Sequence, residues 1–429
     1  MLNFRRLPFV VLGACLLLAS GAAAAEGDAF TATATPSHVK PSTSASYTVT
    51  LTNSPSSPSR GQRAKIAIPP GFDVSPATVQ ATTEALGGCD GSPWEGDGTL
   101  IADSKIHLKR PMGPETGLCQ GAKLTVSFTA TSPAAEGTHT WTSQLFVDDE
   151  EFLLNGSQPT IVVDGTAPET TIDSGPPVVT NSTSASFSFS SSETGSTFQC
   201  SLDGAAYTAC TSPESYTVGA GAHTFEVRAT DPAGNTDESA DSHTWTVDVS
   251  APQTTINSGP PAAANATSAS FMFSSNEAGS SFQCSLDGAA YTACTSPESY
   301  TALGAGTHTF EVRATDPAGN TDATPDSHNW TVDLTAPETT INSGPPAVTN
   351  STSASFTFSS NESGSSFQCS LDSAPFTTCT SPTNYTALSA GAHTFEVRAT
   401  DPAGNTDATP DSHSWTVELT APETTINSG

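Results

Sequence analysis

Residues 225–237 read FEVRATDPAGNTD, and the same thirteen letters return at 310–322 and at 395–407. In the first half Phe225, Val227 and Ala229 alternate with Thr224, Glu226 and Arg228, the period of two that marks a half-buried strand. In the second half, Asp231-Pro232-Ala233-Gly234-Asn235 reads as a turn: proline presets one backbone angle, glycine supplies a positive one, and the Asp and Asn side chains bond to nearby main chain. A strand closed by a turn, written three times without change, predicts a row of β units.

Alignment of the three phrases extends the match to whole repeats. Asp231, Asp316 and Asp401 are 85 positions apart, as are Trp245, Trp330 and Trp415. The repeats run over 167–250, 251–335 and 336–420, and Ala-Pro-Glu-Thr-Thr-Ile-Asn-Ser-Gly at 421–429 reads as the start of a fourth, which predicts an array that continues. Seven short strands are expected in the first repeat: Thr170–Ile172, Ala185–Ser191, Thr197–Leu202, Tyr207–Cys210, Ser215–Val218, His223–Thr230 and His243–Asp248. Turns rich in Gly, Pro, Ser and Asp separate them, so the expected class is all-β: tandem immunoglobulin-like β-sandwiches in an elongated array. No segment reads as a helix. Residues 26–166 share the grammar but not the letters, with strands expected at Ala45–Thr50, Ala64–Ile68, Lys105–Leu108, Leu124–Ala130 and His139–Phe146; they predict a separate N-terminal β-sandwich.

The start of the chain sets the compartment. Arg5 and Arg6 precede an apolar run from Leu7 to Ala19 and the small residues Gly21 to Ala25, the pattern of a secretory signal peptide cleaved near Ala25. The run is too short for a comfortable membrane span. Lipid attachment at Cys15 is the alternative, disfavoured by the three leucines that follow it. A secreted or cell-surface protein is expected. Without that segment eight cysteines remain, pairing as Cys89 with Cys119, Cys200 with Cys210, Cys284 with Cys294 and Cys369 with Cys379. Disulfides are the expected state of an even set in an exported chain.

A formal net charge of -30 argues against nucleic acid and acidic membrane surfaces, because binding to phosphate needs facing lysine and arginine. Beyond Lys123 the only Lys or Arg residues are Arg228, Arg313 and Arg398. Glu226 and Arg228 stand at i and i+2 on one strand face and read as a surface ion pair of little worth. The N-terminal domain holds Lys40, Arg60, Arg63, Lys65, Lys105, Lys109, Arg110 and Lys123, with Trp94 between Cys89 and Cys119. Two readings of that surface stand: a ligand face, or a solvated basic face with the Trp folded onto a disulfide.

The phrase Phe-Glu-Val-Arg-Ala-Thr-Asp-Pro-Ala-Gly-Asn, the closing Trp-Thr-Val-Asp (Trp-Thr-Val-Glu in the third copy) and the Ala-Pro-x-Thr-Thr-Ile start of each unit resemble the bacterial immunoglobulin-like (Big-type) repeats of large secreted and cell-surface proteins. The resemblance covers 167–429 and implies stalks, spacers and adhesive or binding modules rather than catalysis. It does not extend to the first domain.

Topology suggests a sharper use for the turn. In a seven-strand antiparallel unit the loop after strand six shares a pole with the loop after strand two and with the incoming linker. That would gather Asp164, Glu193, Asp231, Asn235 and Asp237, then Asp248, Glu277, Asp316, Asn320 and Asp322, then Asp333, Glu362, Asp401, Asn405 and Asp407. Carboxylates and an amide are the hard oxygen ligands that calcium prefers, so calcium at the joints is the competing reading to a turn that needs no ligand. The histidines His223/His243, His308/His328 and His393/His413 are expected at opposite poles of each unit, as surface residues. No Gly-x-Ser-x-Gly turn, triad spacing or phosphate loop is present in the sequence. The expected role is a spacer or adhesive stalk, a monomeric rod without enzymatic activity in this segment, its partner an unknown extracellular protein or glycan. Two alternatives are a binding module with the N-terminal domain as head, and part of a larger exported enzyme.

Overall fold

The computed structural model describes residues 29–57, 59–84, 93–110, 117–147 and 150–420. The expected signal segment 1–25 with Cys15, the partner Cys89 and the repeat start at 421 lie outside them. Among the described residues the chain is all-β, the one helical turn being a 3₁₀ turn at Pro76–Thr78, and no helix is long and apolar enough to cross a membrane. Internal contacts divide the chain into two compact units. One carries the N-terminal domain and much of repeat 1; the other carries repeats 2 and 3 with the remaining segments of repeat 1.

In the first unit the N-terminal domain is built on the ladder of Ser44–Asn53 against Lys123–Thr131, nine rungs from Ser44↔Thr131 to Thr52↔Lys123, flanked by Ala29–Thr35. A second sheet centres on Arg63–Ala67, between Lys105–Lys109 and Ser143–Val147. Alternating side chains from both sheets meet in one core, where Tyr47, Phe72, Phe128 and Trp141 pack ring on ring at 5.1 to 6.1 Å. The single strand expected at His139–Phe146 is broken into Gly137–Thr140 and Ser143–Val147, which belong to different sheets. The break falls at Trp141: its side chain is fully buried while its main-chain N–H goes to the Pro159 carbonyl, so the chain crosses between layers there.

Repeat 2, in the second unit, shows the repeated architecture. Three strands, Thr254–Ser258, Ala269–Ser275 and Glu298–Tyr300, form one layer; five, in the order 263–264, 326–332, 306–315, 281–286 and 292–294, form the other. Phe271 from the first layer stacks on Phe310 from the second, centroids 4.0 Å apart and planes 12° apart, inside a core completed by Phe273, Cys284, Val312, Trp330 and Val332. Repeat 3 repeats this arrangement with Phe356 on Phe395 at 4.0 Å. In repeat 1, within the first unit, Phe187 stacks on Phe225 at 4.1 Å.

The repeat has eight strands where seven were expected. The extra one, Ala263–Ala264, pairs parallel to the last strand through Ala263↔Thr331 and Ala264↔Val332, so the unit is not wholly antiparallel. The chain reaches it through Ser258-Gly259-Pro260-Pro261: a bulge falls between Ile256 and Ser258, and prolines cannot continue the ladder. A Cβ at Gly259 would stand 3.1 Å from the Phe271 ring and 3.2 Å from His328, so these rings would have to give by a few tenths of an ångström to admit a side chain.

The short-range disulfides form as expected at Cys200–Cys210, Cys284–Cys294 and Cys369–Cys379, with Cα atoms 5.8 to 5.9 Å apart. In each, a residue of an inner strand is tied to the edge strand beside it; Cys284 faces Thr292, and Phe282 faces Cys294. Constraint of the unfolded chain by so short a loop is worth about 3 kcal/mol, a large share for a core of this size.

Candidate functional site

The phrase 310–322 runs as the sixth long strand, Gly306–Thr315, into the turn Asp316-Pro317-Ala318-Gly319-Asn320. Gly319 takes φ +99, a left-handed conformation that L side chains rarely adopt, which is why glycine holds the position. Asp316 is the hub. Its Oδ1 accepts the N–H groups of Gly319 at 2.7 Å and Asn320 at 2.8 Å. Its Oδ2 accepts the Asn320 side-chain Nδ2 at 2.8 Å.

Asn320 reaches further. The same Nδ2 donates to the main-chain carbonyl of linker residue Asp248, 2.8 Å away. The bond recurs as Asn405 to Asp333 at 2.8 Å and, in the first unit, as Asn235 to Asp164 at 2.9 Å. The turn is therefore a clasp on the linker that precedes its repeat. Burial alone would raise Asp316, but the hydrogen bonds from Asn320 and Gly319 outweigh it and hold the carboxyl below its ordinary range; Asp401 is lowered by the same causes.

Three carboxylates meet beside each clasp. Asp164, Glu193 and Asp231 each place a ligand oxygen within 4.8 Å of the other two, as do Asp248, Glu277 and Asp316, and Asp333, Glu362 and Asp401. Glu277 is pushed above the usual carboxylate range by desolvation and then by the charges of Asp248 and Asp316; Glu193 and Glu362 are raised by the corresponding causes. A raised folded-state value means a contribution that is present at low pH and lost as pH rises through it, the signature of mutual repulsion at neutral pH. Hard oxygens at this separation fit the ligand shell of one calcium ion, whose Ca–O bonds are about 2.4 Å.

Not every residue of the expected set belongs to it. Asp237, Asp322 and Asp407 are buried elsewhere. Asp322 accepts the Thr254 N–H on Oδ2 at 2.8 Å, and the Thr324 N–H and Oγ1 on Oδ1 at 2.9 Å each. It ties the first strand of the repeat to the end of the turn, and Asp237 and Asp407 do the same with Thr170 and Thr339. Asn235, Asn320 and Asn405 present Nδ2 donors to Asp231, Asp316 and Asp401.

Further readings change. The histidines are not at opposite poles: His308 lies across from Trp330, and His328 across from Phe310, two rungs away on the same ladder. The last strand pairs only with residues 306–312 of its partner, its start Asp326 falling opposite Val312, so His328 comes opposite Phe310 rather than at the partner's far end. Nor are all of them surface residues, since the side chains of His308 and His393 are 12% and 6% exposed. Arg228 turns from Glu226 to Gln199, donating through Nε and Nη2 at 3.1 and 2.9 Å, and lies over the Tyr207 ring at 4.2 Å. Trp94 is buried at 7% exposure, with Nε1 donating to Thr83 Oγ1 at 3.0 Å and the Arg110 guanidinium 5.8 Å from its ring. It offers no stacking face to a ligand. Beside the first clasp lies an open cleft of ≈ 540 Å³ with Lys40, Glu169 and Glu238 on its walls.

No family model and no curated protein matches the chain. Among solved structures it is similar to the tetra-tandem repeat in the extending region of a large adhesion protein, 17% identical over 92% of this chain and 100% of that one, TM-score 0.28. It is also similar to a structure concerned with host cell surface retention of a 1.5-MDa bacterial ice-binding adhesin, 15% identical over 59% and 98% of the two chains, TM-score 0.31. A third is the fibronectin(III)-like modules of Clostridium thermocellum CbhA, 15% identical over 41% and 100%, TM-score 0.28. At these TM-scores none of the three enters the argument.

Proposed function

We propose that this chain is an exported, non-catalytic spacer: a tandem of Big-type immunoglobulin-like repeats that forms the stalk of a surface or secreted protein, its partner an extracellular protein or glycan. The observation that carries the reading is the clasp itself. The same turn recurs in three copies, and in each copy its Asn side chain grips the linker before its repeat, as a row of spacer units requires.

An amide-to-carbonyl bond of this kind is worth about 1 kcal/mol, equivalent to roughly a fivefold change in an opening equilibrium. Replacing Asn235, Asn320 and Asn405 together by alanine is therefore expected to speed limited proteolysis within 248–252 and 333–337 about fivefold while the repeats stay folded. Equal cleavage rates would refute a clasp with a mechanical purpose.

Calcium is supported as a component of the same joints by the carboxylate triads and the raised glutamates. The ligands would be Asp164, Glu193 and Asp231 and their two sets of equivalents, with Asp237, Asp322 and Asp407 outside the shell. A cation there offsets the repulsion and stabilises the folded chain by about 2.7 kcal/mol at a hundredfold excess over its dissociation constant. Thermal melts in millimolar calcium and in chelator should differ by several degrees; coincident melts would leave the joints metal-free.

A further inference from the structure

In repeat 2 the imidazole of His308 is held at both ends. Nδ1 lies 2.8 Å from Asp287 Oδ2 and Nε2 lies 2.9 Å from the main-chain oxygen of Gly304. Repeat 3 has the same arrangement, His393 Nδ1 at 2.7 Å from Asp372 Oδ2 and Nε2 at 2.9 Å from the Ser389 oxygen. In repeat 1 His223 Nδ1 is 2.8 Å from Asp203 Oδ2. An ionised carboxylate and a peptide carbonyl can only accept, and a neutral imidazole carries one N–H. Both bonds are satisfied together only when the ring carries two protons.

We infer that repeats 2 and 3 each contain an imidazolium clamp, in which a doubly protonated histidine locks the hairpin turn of the disulfide-bearing strands to the loop before the long strand, so that the repeats loosen as the clamp loses its proton. The acceptor side is built for this. Asp287 sits at φ +53 in the turn, its Oδ1 takes the Thr309 N–H at 2.9 Å, and its own N–H goes to the Thr309 carbonyl at 2.8 Å. Loss of the Nε2 proton leaves a ring lone pair against the Gly304 oxygen. The surroundings add no competing charge. From the last strand Trp330 covers the ring, centroids 5.3 Å apart, and His328 lies beyond that indole, 6.2 Å from it, bound to the Pro260 oxygen at 2.9 Å. The loop before the strand contributes the Gly304 carbonyl, and Glu311 and Arg313 on His308's own strand alternate onto the opposite face.

The electrostatics agree with the geometry. His308 is raised by the Gly304 carbonyl and then by the Asp287 bond, against desolvation, and His393 by Ser389 and Asp372. Burial would raise Asp287, but the bonds from His308 and Thr309 leave it lowered. A raised histidine contributes stability that is complete below its unfolded value of about 6.5 and is lost as pH rises through the folded value. A lowered aspartate contributes above about 3.9 and is lost as pH falls through its folded value. The clamp is closed in mildly acidic solution and opens on the alkaline side.

The test is the thermal midpoint of the full chain between pH 5.5 and pH 8.5, compared with the triple variant Asp203→Asn, Asp287→Asn, Asp372→Asn. The wild type should lose on the order of 5 °C as pH rises, and the variant, which keeps the carbonyl contact but not the carboxylate, should lose clearly less. A wild-type midpoint that is flat over this range, or a variant with the same decline, would overturn the inference. Should the triple variant not fold, NMR titration of the His308 and His393 rings in the wild type decides: midpoints above about 6.5 support the clamp, and midpoints at or below it refute it.

Discussion

Replacing Phe271 by alanine will melt repeat 2 while leaving the transitions of the N-terminal domain and repeat 3 in place. The side chain is fully buried. It stacks on Phe310 at 4.0 Å and touches Trp330, His328 and Tyr300 at centroid distances of 5.2, 5.7 and 6.3 Å. Its removal deletes the closest ring contact between the layers and opens a cavity, while Phe273 still meets Phe310 at 6.0 Å and Phe282 at 5.1 Å. Phe→Ala substitutions in such positions cost about 3 to 5 kcal/mol. For a domain of this size that lowers the midpoint by roughly 15 to 25 °C. Calorimetry on the full chain should show one component displaced by that amount; a displacement of only a few degrees would mean that the two layers are not joined through this stack.

Replacing Asp322 by alanine should destabilise repeat 2 by about 3 kcal/mol, equally in calcium and in chelator. The carboxylate is 4% exposed and accepts three hydrogen bonds, so its loss leaves the buried Thr254 N–H and the Thr324 donors without partners. Each orphaned donor costs about 1 to 3 kcal/mol, softened where the edge admits water. The pH dependence has a definite sign. Burial would raise Asp322, but the bonds from Thr324 and Thr254 outweigh it and lower it, so its contribution is present above the unfolded value of about 3.9 and is lost as pH falls through the folded value. The variant should lose that part of the acid sensitivity. Were its destabilisation to vanish in chelator, Asp322 would be an ion ligand and the tether between first strand and turn would be secondary.

The two substitutions mark what could be read from letters. Phe271 was legible as core because Ala269, Phe271 and Phe273 take every second position, with Ser270, Met272 and Ser274 between them, and a strand with one face in oil and one in water writes that period into its own sequence. Asp316 was legible as a turn residue for a similar local reason, with proline and glycine beside it. Asp322 was not separable from Asp316, since a carboxylate is spelled the same whether it faces a peptide N–H or a cation. The strand Ala263–Ala264 left no mark because two residues carry no period.

The nearness of His308 to His328 was hidden because it depends on which rung of the ladder begins the last strand, and one sequence allows more than one register until a core selects it. The sequence by itself determined that this is a row of disulfide-clipped β units with a fixed turn after the same strand, since alternation, turn chemistry and cysteine spacing act over a few neighbouring residues. Only the tertiary structure decided which carboxylates meet, which histidine is gripped at both nitrogens, and that Asn320 closes on Asp248. Apart from the carbonyl four residues before each histidine, those pairings join residues 21 to 72 positions apart, and such distances are fixed by packing two sheets against each other, not by local preference.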